Sequence, residues 1–172
     1  NYLGPFLLTS LLLERLRASA PARIVNVASA SEAVGHIDFE DLQLEHGYSP
    51  MKAYARAKLA LIMFTIDLAR RLEESGVTVN ALNPGFIKSN LLRDLRGFEG
   101  IGQTMMRLLA SPAEVGADRI VRLAVSPEYG RVNGEYVYED SVGVPNREAR
   151  DASIVERVMR VSEEAVGLQP GN

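Results

Sequence analysis

Apolar residues recur every three or four positions in four segments of the chain, which predicts four helices with one buried face each. The predicted helices cover residues 3–18, 50–75, 111–125 and 147–166. Pro21 ends the first helix, Gly76 ends the second as a left-handed C-cap, and Gly167 ends the fourth. Ser49-Pro50 begins the second helix and the capping box Ser111-Pro112-Ala113-Glu114 begins the third, each with an N-cap serine before a proline.

Short runs of β-branched and other apolar residues lie between these helices and predict strands. The predicted strands cover residues 23–28, 77–82 and 136–138. Helices that alternate with strands favour an α/β fold, in which a parallel sheet is covered by helices on both faces. Three strands are few for such a sheet, so we expect further strands beside one edge. The remaining stretches, 30–48 and 86–110, are predicted to be a long loop and a mobile, partly helical segment.

The composition is that of one globular domain and excludes several kinds of partner. The chain has 172 residues, 47% of them hydrophobic, with 19 basic and 22 acidic side chains, so no nucleic-acid partner is expected. It has no cysteine and only two histidines, which excludes disulfides and argues against a metal site. No apolar run approaches the roughly 18 residues of a membrane span, and no signal peptide is recognised, so we expect a cytoplasmic protein.

The most informative pattern is Tyr54-Ala-Arg-Ala-Lys58, which lies near the start of the second predicted helix. Four residues of separation put the phenol and the ammonium on the same face of a helix. A tyrosine exchanges protons near neutral pH only when a nearby group stabilises its phenolate, and a lysine charge about 4 Å away can do so. Tyr54 and Lys58 therefore predict proton transfer by tyrosine, although a surface tyrosine beside a surface lysine is the simpler alternative.

Two other features fall where a ligand site is expected. Ser29 follows the first predicted strand, and the Pro84-Gly85 pair follows the second. In open parallel sheets ligands bind outside the carboxyl ends of the strands, and Tyr54 lies at the same edge because its helix connects these two strands. Each feature alone is consistent with an ordinary turn, but together they favour an active site.

These residues resemble the C-terminal part of a short-chain dehydrogenase/reductase, and in particular the retinol dehydrogenase-like branch of that family. The resemblance covers essentially the whole chain. It rests on Ser29, on the Tyr54-x-x-x-Lys58 spacing, and on five further motifs: Asn1-Tyr-Leu-Gly4 with Phe6-Leu-Leu-Thr9, Arg23-Ile-Val-Asn-Val27, Phe39-Glu-Asp-Leu42, Asn83-Pro84-Gly85, and Ser162-Glu163 with Val166-Gly167-Leu168.

The resemblance implies a catalytic tetrad, which falls on Asn1, Ser29, Tyr54 and Lys58. Tyr54 would be the general acid in reduction and the base in oxidation, and Ser29 would hydrogen-bond the substrate oxygen. Lys58 would stabilise the phenolate and bind the hydroxyls of the nicotinamide ribose. Asn1 would support a water-linked proton relay by shaping its helix.

The resemblance also implies a cofactor, NADP or NAD, with NADP slightly favoured. Pro84, Gly85 and Ile87 would line the nicotinamide pocket, and Ser89 would lie near the amide or the pyrophosphate. The implied reaction is hydride transfer between this cofactor and a small lipophilic alcohol, aldehyde or ketone. Residues 86–110 would form a mobile segment on the substrate side.

One expected feature of the family is missing from the sequence. Residues 1–172 contain no glycine-rich turn between a strand and a helix, and the glycines at 97, 100 and 102 follow no predicted strand. We therefore expect residues 1–172 to be the C-terminal part of a single Rossmann-like, doubly wound domain, without its N-terminal strands and helices.

Other interpretations stay open at this stage. The chain could be a catalytically silent fragment that acts as an association module, since helices 3–18 and 50–75 commonly build a homodimer interface in the family. It could instead reduce a ring double bond, as protochlorophyllide reductase-like enzymes do, but those enzymes usually add a reactive cysteine and this chain has none.

Overall fold

A four-stranded sheet organises the computed structural model, which describes residues 1–88 and 110–169. Its strands are β1 (Ala22–Val27), β2 (Val77–Asn83), β3 (Tyr136–Tyr138) and β4 (Ser141–Val142), in the order β1-β2-β3-β4. In these two ranges four α-helices surround the sheet: α1 (Leu3–Ala18), α2 (Pro50–Arg71), α3 (Ala113–Val125) and α4 (Ala152–Ala165). Short 3-10 helices cover Ala30–Val34, Pro127–Tyr129 and Arg147–Arg150.

The first three strands are parallel, as the alternation of helices and strands predicts. The register runs from Ala22 opposite Val77 to Val27 opposite Leu82, so β1 and β2 end at the same edge of the sheet. The two-residue strand β4 was not predicted, and it pairs antiparallel with β3.

Apolar side chains pack on both faces of the sheet, which confirms the predicted layers. The larger core cluster joins α1, α2 and α4 to one face, and in it Leu59, Ile62 and Val79 are wholly buried. The smaller cluster joins α3 to the other face and comprises Leu82, Leu123, Tyr129 and Val137. β2 is central and is buried along almost its whole length.

Three predicted boundaries are wrong for identifiable reasons. The helix predicted over 147–166 is interrupted at Asp151, whose carboxylate accepts hydrogen bonds from the Ser153 and Ile154 amides and begins α4. Ser111 forms no capping box, because it pairs with Ile87 in a β-bridge and Pro112 takes the N-cap position of α3. The helix predicted over 50–75 ends at Arg71, and Gly76 is left-handed in the turn that follows.

Helix α1 buries less of its apolar stripe than the periodicity predicts. Phe6 and Leu13 are buried, and the Phe6 ring lies 4.8 Å from the ring of Phe64 on α2, centroid to centroid. Leu8 and Leu11 are 61% and 66% exposed. The described residues therefore leave an apolar surface on α1. Among residues 1–88 and 110–169, no helix is long and apolar enough to cross a membrane.

Candidate active site

Tyr54 and Lys58 lie one above the other in the second and third turns of α2, as their spacing predicts. The Lys58 Nζ atom is 5.5 Å from the centroid of the Tyr54 ring, and both side chains are half-buried. This distance places the ammonium close enough to act electrostatically on the aromatic ring and on charge that develops on its oxygen. The pairing of phenol and ammonium is therefore present in the folded chain.

Lys58 also connects α2 to the end of β1. Its ammonium donates a 2.7 Å hydrogen bond to the Val27 carbonyl, the last residue of that strand. Burial lowers the pKa of Lys58. An ammonium has three N–H donors, and the bond to Val27 uses one of them, so the group can bind a further acceptor at this edge.

Ser29 lies two residues beyond the end of β1, at the position expected for a group that contacts a ligand. Its Oγ atom accepts a 3.3 Å hydrogen bond from the Ser31 amide and so caps the 3-10 helix Ala30–Val34. The preceding residue, Ala28, is fixed by a 2.7 Å bond from its amide to the Leu82 carbonyl. Because Oγ only accepts in the cap, its O–H can still be donated to a substrate oxygen.

A buried carboxyl next to Ser29 was missed by the sequence reasoning. Glu32 is 2% exposed and accepts a 2.9 Å hydrogen bond from the Asn146 amide. The Asn146 side chain donates in turn to the carbonyls of Glu32 and Gly35, at 3.1 and 3.0 Å. This cluster ties the loop after Ser29 to a segment more than 100 residues away, which no local pattern could indicate.

Glu32→Gln should change how stability depends on pH. Burial raises the pKa of the Glu32 carboxyl against the opposing effect of the Asn146 hydrogen bond, so the folded chain holds this proton at a pH where the unfolded chain has lost it. Its contribution to stability is therefore full below the ordinary glutamate pKa of about 4.3 and falls as the pH rises through the folded-state value. The Glu32→Gln variant should match the stability of wild type at about pH 4 and exceed it at neutral pH.

Urea denaturation at the two pH values checks this prediction. It is carried out on the whole protein, that is, the product of the complete reading frame. Glu45→Gln serves as the control, because Glu45 is exposed. If Glu32→Gln is less stable than wild type at neutral pH, the prediction is wrong and the Glu32 charge stabilises the folded chain.

The Asn83-Pro84-Gly85 turn lies at the end of β2, level with Ser29. The Asn83 side chain accepts a 3.1 Å hydrogen bond from the Gly85 amide, and Gly85 has a φ of 85° that favours glycine. Ile87 packs against α3 at Gly116, where a Cβ atom would lie 2.9 Å from the Ile87 side chain. The segment Pro84–Ile87 is thus held in one conformation beside the ends of β1 and β2.

Arg119 of α3 was also missed, and it contacts this turn directly. Its Nη1 atom donates a 2.7 Å hydrogen bond to the Pro84 carbonyl, and its Nη2 atom pairs with Glu139 at 3.0 Å. In the sequence, Arg119 is visible only as a basic residue in the helix that precedes the strand beside β2. Many residues fit that description, so it could not have singled out Arg119.

The two remaining predicted residues are placed differently. Asn1 is exposed at the start of α1 and lines an apolar cavity of about 310 Å³ together with Ala53 and Ala57, the residues that precede Tyr54 and Lys58 by one position. Tyr54 and Lys58 are not in the lining of that cavity. Ser89 and most of the predicted mobile segment 86–110 lie outside the described residues.

The comparisons with known proteins show the family of this chain. Residues 1–100 match the family described as short chain dehydrogenase. The chain belongs to this family. Retinol dehydrogenase 13 from Homo sapiens is 42% identical over 177 residues, which cover 98% of this chain and 53% of that protein. Retinol dehydrogenase 14 from Mus musculus is 40% identical and is matched over 98% of this chain and 51% of its own length.

These matches confirm the resemblance to the retinol dehydrogenase-like branch. The chain spans about half the length of the curated relatives it matches. The crystal structure of an uncharacterized protein from Mycobacterium paratuberculosis superimposes with a TM-score of 0.72 at 27% identity, over 98% of this chain and 57% of that one. The Rossmann-like, doubly wound fold class predicted from the sequence is thereby confirmed.

The family uses a nicotinamide cofactor, and the described residues fit one side of it. The free N–H donors of Lys58 suit ribose hydroxyls, and the fixed Pro84–Ile87 segment offers a surface for a flat ring at the ends of the strands. In residues 1–88 and 110–169, β1 leads into the 3-10 helix at Ala30 and β2 leads into the Asn83-Pro84-Gly85 turn, so neither strand leads into a glycine-rich phosphate turn. The same ranges hold no cluster of three potential metal ligands.

Proposed function

We propose that the whole protein is an NAD(P)-dependent oxidoreductase that interconverts a lipophilic alcohol and its aldehyde or ketone. The observation that carries the proposal is the pair Tyr54 and Lys58, with Lys58 bonded to the end of β1 two residues before Ser29. Family membership supports the class of reaction. The pair supports proton transfer at this edge of the sheet.

In the proposed mechanism, the cofactor when bound supplies or accepts the hydride. The Tyr54 hydroxyl takes the proton of the alcohol during oxidation and gives it to the carbonyl oxygen during reduction. Ser29 donates its O–H to the same substrate oxygen and stabilises the charge that develops there. Lys58 stabilises the phenolate through its positive charge and holds ribose hydroxyls with its free N–H donors.

Asn1 has an indirect role in this proposal. It precedes α1 by two residues and lines the same cavity as the alanines that precede Tyr54 and Lys58 on α2. From there it would support the water-linked proton relay by fixing the start of its helix. Its part in the tetrad stays a prediction.

A lipophilic substrate is supported by two observations. The relatives that match the chain are named for retinol, a lipophilic alcohol. Phe86 directly follows Gly85 in the chain and is 45% exposed, so an apolar side chain next to the Pro84-Gly85 turn is available to a substrate. The preference for NADP, the homodimer through helices 3–18 and 50–75 and the cytoplasmic location stay predictions.

Substrate preference can be tested with the whole protein and a series of primary alcohols of increasing chain length. Because each buried methylene contributes about 0.8 kcal/mol, kcat/KM should rise with chain length until the site is filled. A maximum at the shortest alcohols would contradict the proposed substrate class.

Lys58→Ala in the whole protein should raise KM for the cofactor and move the basic limb of the pH–rate profile to higher pH. The first effect follows from the loss of ribose contacts, and the second from the loss of the positive charge that stabilises the phenolate. Steady-state kinetics across the pH range measures both, in the reduction direction, where Tyr54 acts as the acid and sets the basic limb. Lys52→Ala is the matched control, since Lys52 lies exposed in the first turn of the same helix. An unchanged pH profile in Lys58→Ala would make Lys58 a purely structural residue.

A further inference from the structure

Arg119 is a largely buried cation that joins α3 to the ends of β2 and β3. Its side chain is 13% exposed. The guanidinium donates to the Pro84 carbonyl at 2.7 Å and to the carboxylates of Glu139 and Asp140 at 3.0 and 3.1 Å. A guanidinium has five N–H donors in a rigid plane, so one side chain can fix three separate acceptors.

Two unusual backbone conformations meet at this guanidinium. Gly85 has a φ of 85°, and Glu139 is left-handed without being glycine, with a φ of 56°. A Cβ atom on Gly85 would lie 2.7 Å from the Glu139 carboxylate and 2.9 Å from Arg119 Nη1. The ion pair therefore packs directly on the Gly85 backbone, and its bonds hold both turns in place.

The ion pair also has an electrostatic consequence. Without Arg119, the Glu139 carboxylate would stand uncompensated against the Pro84-Gly85 turn, where an anionic dinucleotide would approach. Loss of the arginine would thus release the Pro84 carbonyl and add a repulsive charge at the same position.

We propose that Arg119 is a positioning residue for the cofactor, which it serves by fixing the Pro84–Ile87 segment and by neutralising Glu139. This assignment rests on the proposed function, in which that segment lines the nicotinamide pocket. Arg119 acts through Pro84 and Glu139 and touches no reacting atom.

Arg122 provides a matched control on the same helix. It lies one turn further along α3 and shares Asp140 with Arg119, at 3.1 Å, and it also bonds Glu128 at 3.2 Å. Its side chain is 42% exposed, and within the described ranges its hydrogen bonds go to Asp140 and Glu128 and not to the Pro84 carbonyl. Replacing either arginine removes a cation that pairs with Asp140, but only Arg119 holds the turn.

The experiment compares wild type, Arg119→Met and Arg122→Met in the whole protein. Three ligands are titrated: NADPH, reduced nicotinamide mononucleotide as the nicotinamide half of the cofactor, and ADP-ribose as the adenine half. Arg119→Met should weaken both nicotinamide ligands by about tenfold, the loss expected for one charged hydrogen bond, and should weaken ADP-ribose, which lacks the nicotinamide, much less. Arg122→Met should bind all three ligands as wild type does.

Three results would overturn the assignment. In the first, Arg119→Met binds the mononucleotide as tightly as wild type does. In the second, Arg119→Met weakens the binding of ADP-ribose as much as that of the mononucleotide. In the third, Arg122→Met weakens the binding of the mononucleotide as much as Arg119→Met does. If Arg119→Met does not fold, Arg119→Lys keeps the charge but loses the planar fork, and it must still weaken the nicotinamide ligands selectively. If wild type binds neither nicotinamide ligand, the proposed function fails as well. If wild type binds both and the Arg119 variant binds them equally tightly, only the role of Arg119 is rejected.

Discussion

Tyr54→Phe in the whole protein is expected to lower kcat by about 10³-fold, within the range that general acid–base catalysis contributes. Phenylalanine keeps the ring beside Lys58 and fits the same half-buried position on α2, so the fold and substrate binding should change little. Only the hydroxyl group, with its exchangeable proton, is lost. Steady-state assays in both reaction directions would measure the effect, with KM for substrate and cofactor expected within about threefold of wild type.

Tyr48→Phe is the control for this prediction. Tyr48 is 66% exposed and precedes the first turn of α2, so it should retain normal turnover. Near-normal kcat in Tyr54→Phe would remove the tyrosine from the mechanism. A similar loss in both variants would point to a general effect of removing a hydroxyl from this region.

Residues 1–172 expressed alone are expected to show no saturable binding of NADPH or NADH at micromolar concentrations. Most dinucleotide affinity in this fold comes from a pyrophosphate that lies on a glycine-rich turn and a helix N-terminus. The described residues provide contacts only for the nicotinamide side, through Lys58 and the Pro84–Ile87 segment. Titration followed by cofactor fluorescence, with the whole protein as the positive control, measures the difference.

The same isolated chain is expected to self-associate. Within the described residues β1 pairs only with β2, so its other edge presents unpaired backbone groups. Leu8 and Leu11 of α1 add exposed apolar surface. Light scattering run beside the titration would detect the association. A monodisperse monomer that binds the cofactor at micromolar concentration would contradict both expectations.

The positions of the site residues could be predicted because they depend on local patterns and on one rule of connectivity. The strands that precede Ser29 and Pro84 are short runs rich in β-branched residues, and each is found within one residue of its predicted bounds. Once the strands are parallel, their carboxyl ends must share an edge, and α2 must begin near it. Tyr54 and Lys58 then need only helical spacing to lie on one face.

The contacts of Glu32 and Arg119 could not be predicted in this way. The Asn146 amide bonds Glu32 across 114 positions, and Arg119 bonds Pro84 across 35. These residues lie in loops or on helix faces where polar side chains are common, and only the folded chain selects their partners. The break in the fourth predicted helix at Asp151 was missed for a related reason. In the sequence, an aspartate that caps a helix looks the same as an aspartate on a helix surface, and only its hydrogen bonds to the Ser153 and Ile154 amides distinguish the two.

The most direct test of the central claim follows a deuterium atom from substrate to cofactor. The whole protein is incubated with an oxidised nicotinamide cofactor and a lipophilic primary alcohol that carries deuterium at both positions of the carbinol carbon, and the cofactor is analysed by mass spectrometry. The mechanism predicts that each turnover transfers deuterium to the nicotinamide ring, slowly or not at all in Tyr54→Phe. Recovery of unlabelled reduced cofactor, or of an unreduced cofactor alongside an intact alcohol, would contradict hydride transfer by this protein.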